Sequence, residues 1–209
     1  MNHYLNWLKN PWNIANVSCW LPLMGIFLDI AFNNLGGNPI QALHIRLGDW
    51  SLRFLWITLA ITPIQVISGW RGMADYRQLF GLCSFFYASL HLLVYLWVDH
   101  AWAWQMIWDD ILQSSYIWLG IGCYLILLVL AITSPNIGKR KLGKNWKKVH
   151  RFIYLASVLA IVHYFWQLKG NLAEPLFFSL VLGLFFLFRI LVWLKNKQLF
   201  YLMVPKGRS

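Results

Sequence analysis

The sequence predicts an all-α integral membrane protein with six transmembrane helices and both termini on the inner side. Three observations carry this. The 209 residues are 59% hydrophobic and 12% charged, with a mean hydropathy of +0.54, outside the range of soluble domains. Six apolar stretches each approach the roughly 20 residues that cross about 30 Å of hydrocarbon as a helix. The charges also alternate by side. With the N-terminus inside, the inner ends and loops hold Lys9, Arg71, Arg77, the seven basic residues from Lys139 to Arg151 and the five from Arg189 to Arg208. The outer side holds Arg46, Arg53 and Lys169 together with six of the seven acids. This is the positive-inside pattern. It accounts for the pI of 9.8 through topology and anionic lipid, and calls for no nucleic acid.

The elements follow in order. Helix 1 covers roughly 14–32; it lacks a basic leader and a small-residue cleavage site, and Pro22 and Asp29 interrupt it, so it is not read as a cleavable signal. Helix 2, 50–67, carries "LAITP" up to Pro63, and helix 3, 79–98, carries His91. The outer loop after it is crowded by Trp102, Trp104 and Trp108, as suits an aromatic belt at the headgroups or a docking surface. Helix 4, 115–133, runs into "LAITSP" at Pro135; helix 5, 150–168, has His150 and His163 near its two ends; helix 6 covers 175–194. The chain is expected to be one domain over 1–209, with loops too short for a soluble flavin or nicotinamide domain.

Helices 2 and 3 rhyme with helices 4 and 5. His91 lies 28 residues beyond Pro63, and His163 lies 28 beyond Pro135. Such a pseudo-repeat relates two helix pairs by an axis along the membrane normal and puts the two imidazoles at one depth, with a site where the repeats meet. Two neutral rings in hydrocarbon need a partner between them. On helix 3, Arg77, Gly81, Ser84, Ala88 and His91 form one stripe; on helix 5, Ala156, Ala160 and His163 repeat it. Small residues serve close helix contact as well, but with paired histidines they describe a flat slot for a porphyrin. Two axial histidines leave iron no open position, which suits electron transfer. Cys19, Cys83 and Cys123 form no CxxC or CxxCH, so they are read as small core residues. The haem is therefore of b type, in one copy or two, since His150 lies about 20 Å below His163. Thirteen residues turn an ideal helix by about 220°, so those two histidines cannot share a face unless helix 5 is irregular. His150 is also readable as an interfacial histidine beside a basic loop. Opposite it stands Arg77 or Gln78, and Arg77 could fork onto a propionate or approach the iron as a weak ligand. His3, His44 and His100 are not expected to be ligands.

Three segments, "NPIQALHIRLGDWSLRFLWITLAITP", "YRQLFGLCSFFYASLHLLVYL" and "KLGKNWKKVHRFIYLASVLAIVHYFW", resemble the MsrQ (YedZ) family, the haem-binding membrane subunits of bacterial periplasmic methionine sulfoxide reductase systems, within the ferric-reductase-like transmembrane group. The most specific part is "LGKxWxxxHRxxYL" followed by "HYxW". The resemblance implies a multi-pass protein of the bacterial inner membrane with haem b and FMN. It would draw electrons from the quinone pool or a cytosolic flavin reductase and pass them to MsrP, a periplasmic molybdopterin enzyme. It implies His91, His150 and His163 as ligands, with Arg77 where the wider group has a fourth histidine. His44 stands one position earlier, relative to Gly48, than the histidine of that loop, and is not assigned. The basic loop Lys139–Lys148 with Arg71 and Arg77 could attract a flavin phosphate, although topology explains the same charges. Two other readings share these residues: a stand-alone ferric reductase or cytochrome b561-like quinol carrier, and a small proton-coupled permease.

Overall fold

The computed structural model describes residues 11–167 and 172–203, and among them there is no strand. His3, Lys9, Lys169, Lys206 and Arg208, and the side chain of Arg71, lie outside the described residues. The elements are α1 (Pro11–Ala31), α2 (Pro39–Ser68), a 3₁₀ turn (Arg71–Met73), α3 (Ala74–Leu93) continued by a π-helical segment (Val94–Asp99), α4 (Trp104–Gln113), α5 (Ser115–Thr133), α6 (Asn136–Leu142), a second 3₁₀ turn (Gly143–Asn145), α7 (Trp146–His150), α8 (Ile153–Gln167) and α9 (Ala173–Met203). Five helices are long and apolar enough to cross a membrane. The bent pair Asn136–His150 and Ile153–Gln167, whose axes meet at 45°, makes a sixth if it counts as one span.

The helices depart from the expected spans most at three places, and α3 also begins at Ala74, five residues before the predicted 79. Helix α2 starts at Pro39, eleven residues before the predicted helix 2. Asn38 accepts a hydrogen bond from the Gln41 N–H, and Pro39 suits the first turn, where its missing N–H costs nothing. The polar residues that read as loop are paired: Arg46 with Asp29, and Asp49 with Arg53. The second difference is helix 5. The span predicted as 150–168 breaks at Arg151–Phe152, and α8 alone, with 15 residues, reaches only about 22 Å. The break separates His150 from the helix that carries His163. The third is α9, which runs to Met203, beyond the predicted 194.

Beyond the π-helical segment, Ala101 and Trp102 take φ of 45° and 61°, the left-handed region that non-glycine residues rarely enter. Their N–H groups donate to Trp97 O and Leu96 O and reverse the chain onto α4. Helix α4 turns Ile107 inward and leaves Trp104, Trp108 and Leu112 exposed. Asp110 accepts hydrogen bonds from Tyr95 Oη at 2.9 Å and Ser114 Oγ at 3.0 Å, tying α4 to the end of α3.

Helix α2 lies along α3, and α5 along α8. Between them sits a core of Leu52, Leu55, Leu59, Leu127, Ile161 and Leu182. A second cluster joins α1 to α2 and α3 around the fully buried Tyr87. The Tyr87 hydroxyl accepts from Leu23 N–H at 3.0 Å and donates to Cys19 O at 2.9 Å. It thus stands inside the ladder of α1 beside Pro22, where an unbroken helix would join those two groups directly. Trp56 Nε1 donates to Phe178 O and ties α2 to α9. Large apolar side chains cover the outside, Phe27, Ile67, Ile132 and Leu180 among them. Such a surface is stable only against hydrocarbon.

Candidate functional site

His91 on α3 and His163 on α8 face one another with ring centres 6.4 Å apart and planes at 89°. Each is positioned by its own helix pair in the same way. His91 Nδ1 lies 3.0 Å from His44 O on α2, and His163 Nδ1 lies 2.8 Å from Tyr116 O on α5. A carbonyl only accepts, so Nδ1 carries the proton in both rings and Nε2 keeps its lone pair. Both carbonyls lie 47 residues before their histidine. A glycine cradles each ring: a Cβ on Gly48 would meet His91 at 3.4 Å, and one on Gly120 would meet His163 at 2.9 Å. Lower in each pair the correspondence continues. Ser51 Oγ donates to Ser84 O at 3.0 Å, and Cys123 Sγ donates to Ala156 O at 3.3 Å, 33 residues apart in both cases.

The small-residue stripes do other work than expected. Ser84 Oγ returns a bond to Ser51 O, Gly81 faces Thr58, and fully buried Ala156 faces Cys123. These residues close the contact within each helix pair, so they are not the walls of a slot between pairs. Ala88 and Ala160 rest against the central core.

At the other, basic end, His150 and Arg77 do not meet. His150 stacks on Trp146 at 4.1 Å, and its Nε2 lies 3.1 Å from Thr133 Oγ1. That hydroxyl spends its proton on Val129 O at 2.7 Å, so His150 Nε2 donates and its free lone pair is on Nδ1. Arg77 donates from Nη2 to Gln65 Oε1 at 3.1 Å, while its Nε is buried without a partner. Gln78, which corresponds to His150 at the 72-residue offset separating His91 from His163, accepts from Lys139 Nζ at 2.9 Å.

Residues 47–161 match the family model described as "Ferric reductase like transmembrane component". The chain is 39% identical to a protein of Rhodospirillum rubrum over 87% of its own length and 88% of the relative's. A protein of Xanthomonas campestris pv. campestris (strain B100) matches at 39% over 75% and 72%; one of Xanthomonas euvesicatoria pv. vesicatoria matches at 40% over 77% and 73%. All three are described as the haem-binding subunit MsrQ of protein-methionine-sulfoxide reductase. The chain belongs to the MsrQ family. As a member of this ferric-reductase-like transmembrane group it is a multi-pass membrane protein, in agreement with its apolar helices.

For an MsrQ chain the chemistry of the donor set is specific. Two imidazole nitrogens on one octahedral metal would leave four positions, the number a tetrapyrrole would fill. A metal–imidazole bond of about 2 Å, plus about 1 Å from nitrogen to ring centre, places two rings on one metal about 6 Å apart. The observed 6.4 Å fits.

Four further residues stand at this candidate site that the sequence analysis did not assign: His44, Gly48, Tyr116 and Gly120. Besides offering its carbonyl, His44 sets its ring edge-on to His91 at 5.3 Å, with Nε2 3.6 Å from Asp99 Oδ2. Tyr116 places its ring 5.8 Å from that of His163. A signal for them existed in "HIRLG" at 44–48 and "YIWLG" at 116–120, which stand 72 residues apart, the same offset as the two histidines.

Proposed function

We propose that the protein is a b-type haem electron-transfer subunit, held N-in and C-in in the bacterial inner membrane. It passes electrons from the quinone pool or a cytosolic flavin reductase to an MsrP-like periplasmic molybdopterin enzyme that reduces methionine sulfoxide in proteins. The observation that carries this reading is the pair of imidazoles at 6.4 Å, each with its proton parked on a carbonyl of the neighbouring helix. His91 and His163 hold the haem; His44 O and Tyr116 O fix ring orientation and tautomer. Haem with two imidazole ligands supplies one-electron transfer with no position open for substrate. The names of the relatives support the haem and the methionine sulfoxide system. The quinone, the flavin reductase, MsrP and FMN rest on the family resemblance. The matched contacts at a 72-residue offset favour two pseudo-repeated helix pairs around the site. His150 and Arg77 belong to this reading as holders of a second haem, or of its propionate, at the basic end; there His150 would bind iron through Nδ1, or through Nε2 after releasing Thr133.

The test is optical. Purified protein is expected to show a Soret band and split α and β bands on reduction. His91→Ala and His163→Ala should each abolish the low-spin signal of this site. A colourless, iron-free preparation, or full low-spin spectra in both variants, overturns the assignment.

A further inference from the structure

At the end of the bundle that holds His91 and His163, a recess of about 490 Å³ lies between α2 and the start of α9, lined by Arg53, Ala173, Glu174, Phe177 and Phe178. Its size is that of a ligand site. Contacts with neighbouring elements set each wall. The Phe178 carbonyl accepts from Trp56 Nε1 at 3.1 Å and the Phe178 ring meets Trp56 edge-on at 6.1 Å, which fixes the first turns of α9 against α2. Glu174 Oε2 accepts from Tyr164 Oη, on α8, at 2.9 Å. Arg53 rests its guanidinium over the Trp50 ring at 4.9 Å.

Both charges have capacity left. Arg53 Nη2 lies 3.8 Å from Asp49 Oδ2, beyond a hydrogen bond, so its planar fork stays open to a stronger acceptor. Glu174 receives a neutral donor from Tyr164, and a carboxylate accepts about four. The rest of the lining is apolar. Glu174 stands in the first turn of the apolar span Ala173–Lys197, and Leu176, Phe177 and Leu180 just below it are exposed. The recess therefore sits where lipid head groups give way to acyl chains.

The charges select among lipids. An anionic head would set a second negative group against Glu174 and Asp49, and a cation alone would meet Arg53. A head carrying one charge of each sign satisfies both walls. We infer that this recess binds a zwitterionic phospholipid such as phosphatidylethanolamine, its phosphate on Arg53, its ammonium on Glu174 and an acyl chain along Phe177. A guanidinium fork suits the phosphate. No part of this site depends on a bound haem.

To test it, full-length protein is stripped of lipid in detergent and titrated with dioleoylphosphatidylethanolamine or dioleoylphosphatidylglycerol, bound lipid per chain being counted by native mass spectrometry. Arg53→Gln and Glu174→Gln should each weaken the ethanolamine lipid by about tenfold, the effect of losing a charge-assisted contact. Both should change the glycerol lipid much less, because the basic end of the molecule attracts it by charge alone. Ala173→Leu adds bulk to the recess and alters no charge. It should weaken the ethanolamine lipid several-fold, and it keeps the test decisive if a charge variant fails to fold. A site for phosphate alone would respond to Arg53→Gln with both lipids and not to Glu174→Gln. That result, or equal binding of the ethanolamine lipid by the parent and every folded variant, overturns the proposal.

Discussion

Two glycines set how closely the imidazoles can stand to their helices. An added methyl at Gly120 would come within 2.9 Å of His163 Cε1, and the ring has little freedom to retreat because Nδ1 is held by Tyr116 O at 2.8 Å. At Gly48 the same methyl meets His91 at 3.4 Å, a distance the ring absorbs with a small shift. Gly120→Ala should therefore lower haem retention several-fold and broaden the Soret band, while Gly48→Ala should change either only slightly. Equal effects would show that these close approaches do not position the ligands. The histidines themselves were legible in the sequence, because two imidazoles at equal offsets from two prolines stand out among apolar residues. The groups that aim them were not, since a main-chain oxygen of residue 44 or 116 carries no mark in a side-chain alphabet. Arg189 was counted among the inner-side charges, and only the bond from its Nη2 to Leu59 O at 2.9 Å, a carbonyl that Pro63 leaves free, shows that it faces inward.

Helix pairing depends on polar groups too weak to notice in a hydropathy profile. Between α2 and α3 the serines exchange two bonds, Ser51 Oγ to Ser84 O and Ser84 Oγ to Ser51 O. Between α5 and α8 there is one thiol bond, from Cys123 to Ala156 O, and a thiol is a poor donor. Ser84→Ala should lower resistance to denaturant in micelles by about 1 kcal/mol, and Cys123→Ala by less of a hydrogen-bond contribution. The break at Arg151–Phe152 has a similar local cause. It sits where a basic, tryptophan-anchored segment meets the apolar α8, and Trp146 Nε1 donates to Thr133 O at 2.9 Å to fasten that segment under α5. His150 accordingly belongs to α7 and not to the helix of His163. His150→Ala should leave the low-spin signal of the His91–His163 pair intact and remove at most part of the total haem. Loss of the whole spectrum would mean that the two ends of the molecule form one site.

Across the whole molecule, the separation of charge sets the orientation. Lys144, in the loop between α6 and α7, should lie inside, and Asp109, on α4, outside. Cysteines placed at these two positions should label with an impermeant maleimide in opposite fashion: Asp109→Cys in intact cells, Lys144→Cys only after lysis. The reverse result would invert the assignment of the donor and acceptor faces. The long apolar helices were readable because hydrocarbon demands long apolar runs. Helix α4 was not, because ten residues with one buried side and tryptophans on the other resemble an aromatic loop. The entry of α2 was hidden likewise, its early charges looking solvated until Asp29 and Arg46 are seen to satisfy each other.

Each of the two main helix pairs owns one imidazole, the carbonyl that turns it and the glycine that admits it. The chain passes from one pair to the other through the exposed turn at Ala101–Trp102. Severed there, the polypeptide would become two fragments, each structurally equipped for half of the ligation and neither able to complete it. Pigment should then develop only in cells making both pieces, so that colour alone would report their reassembly in the bilayer.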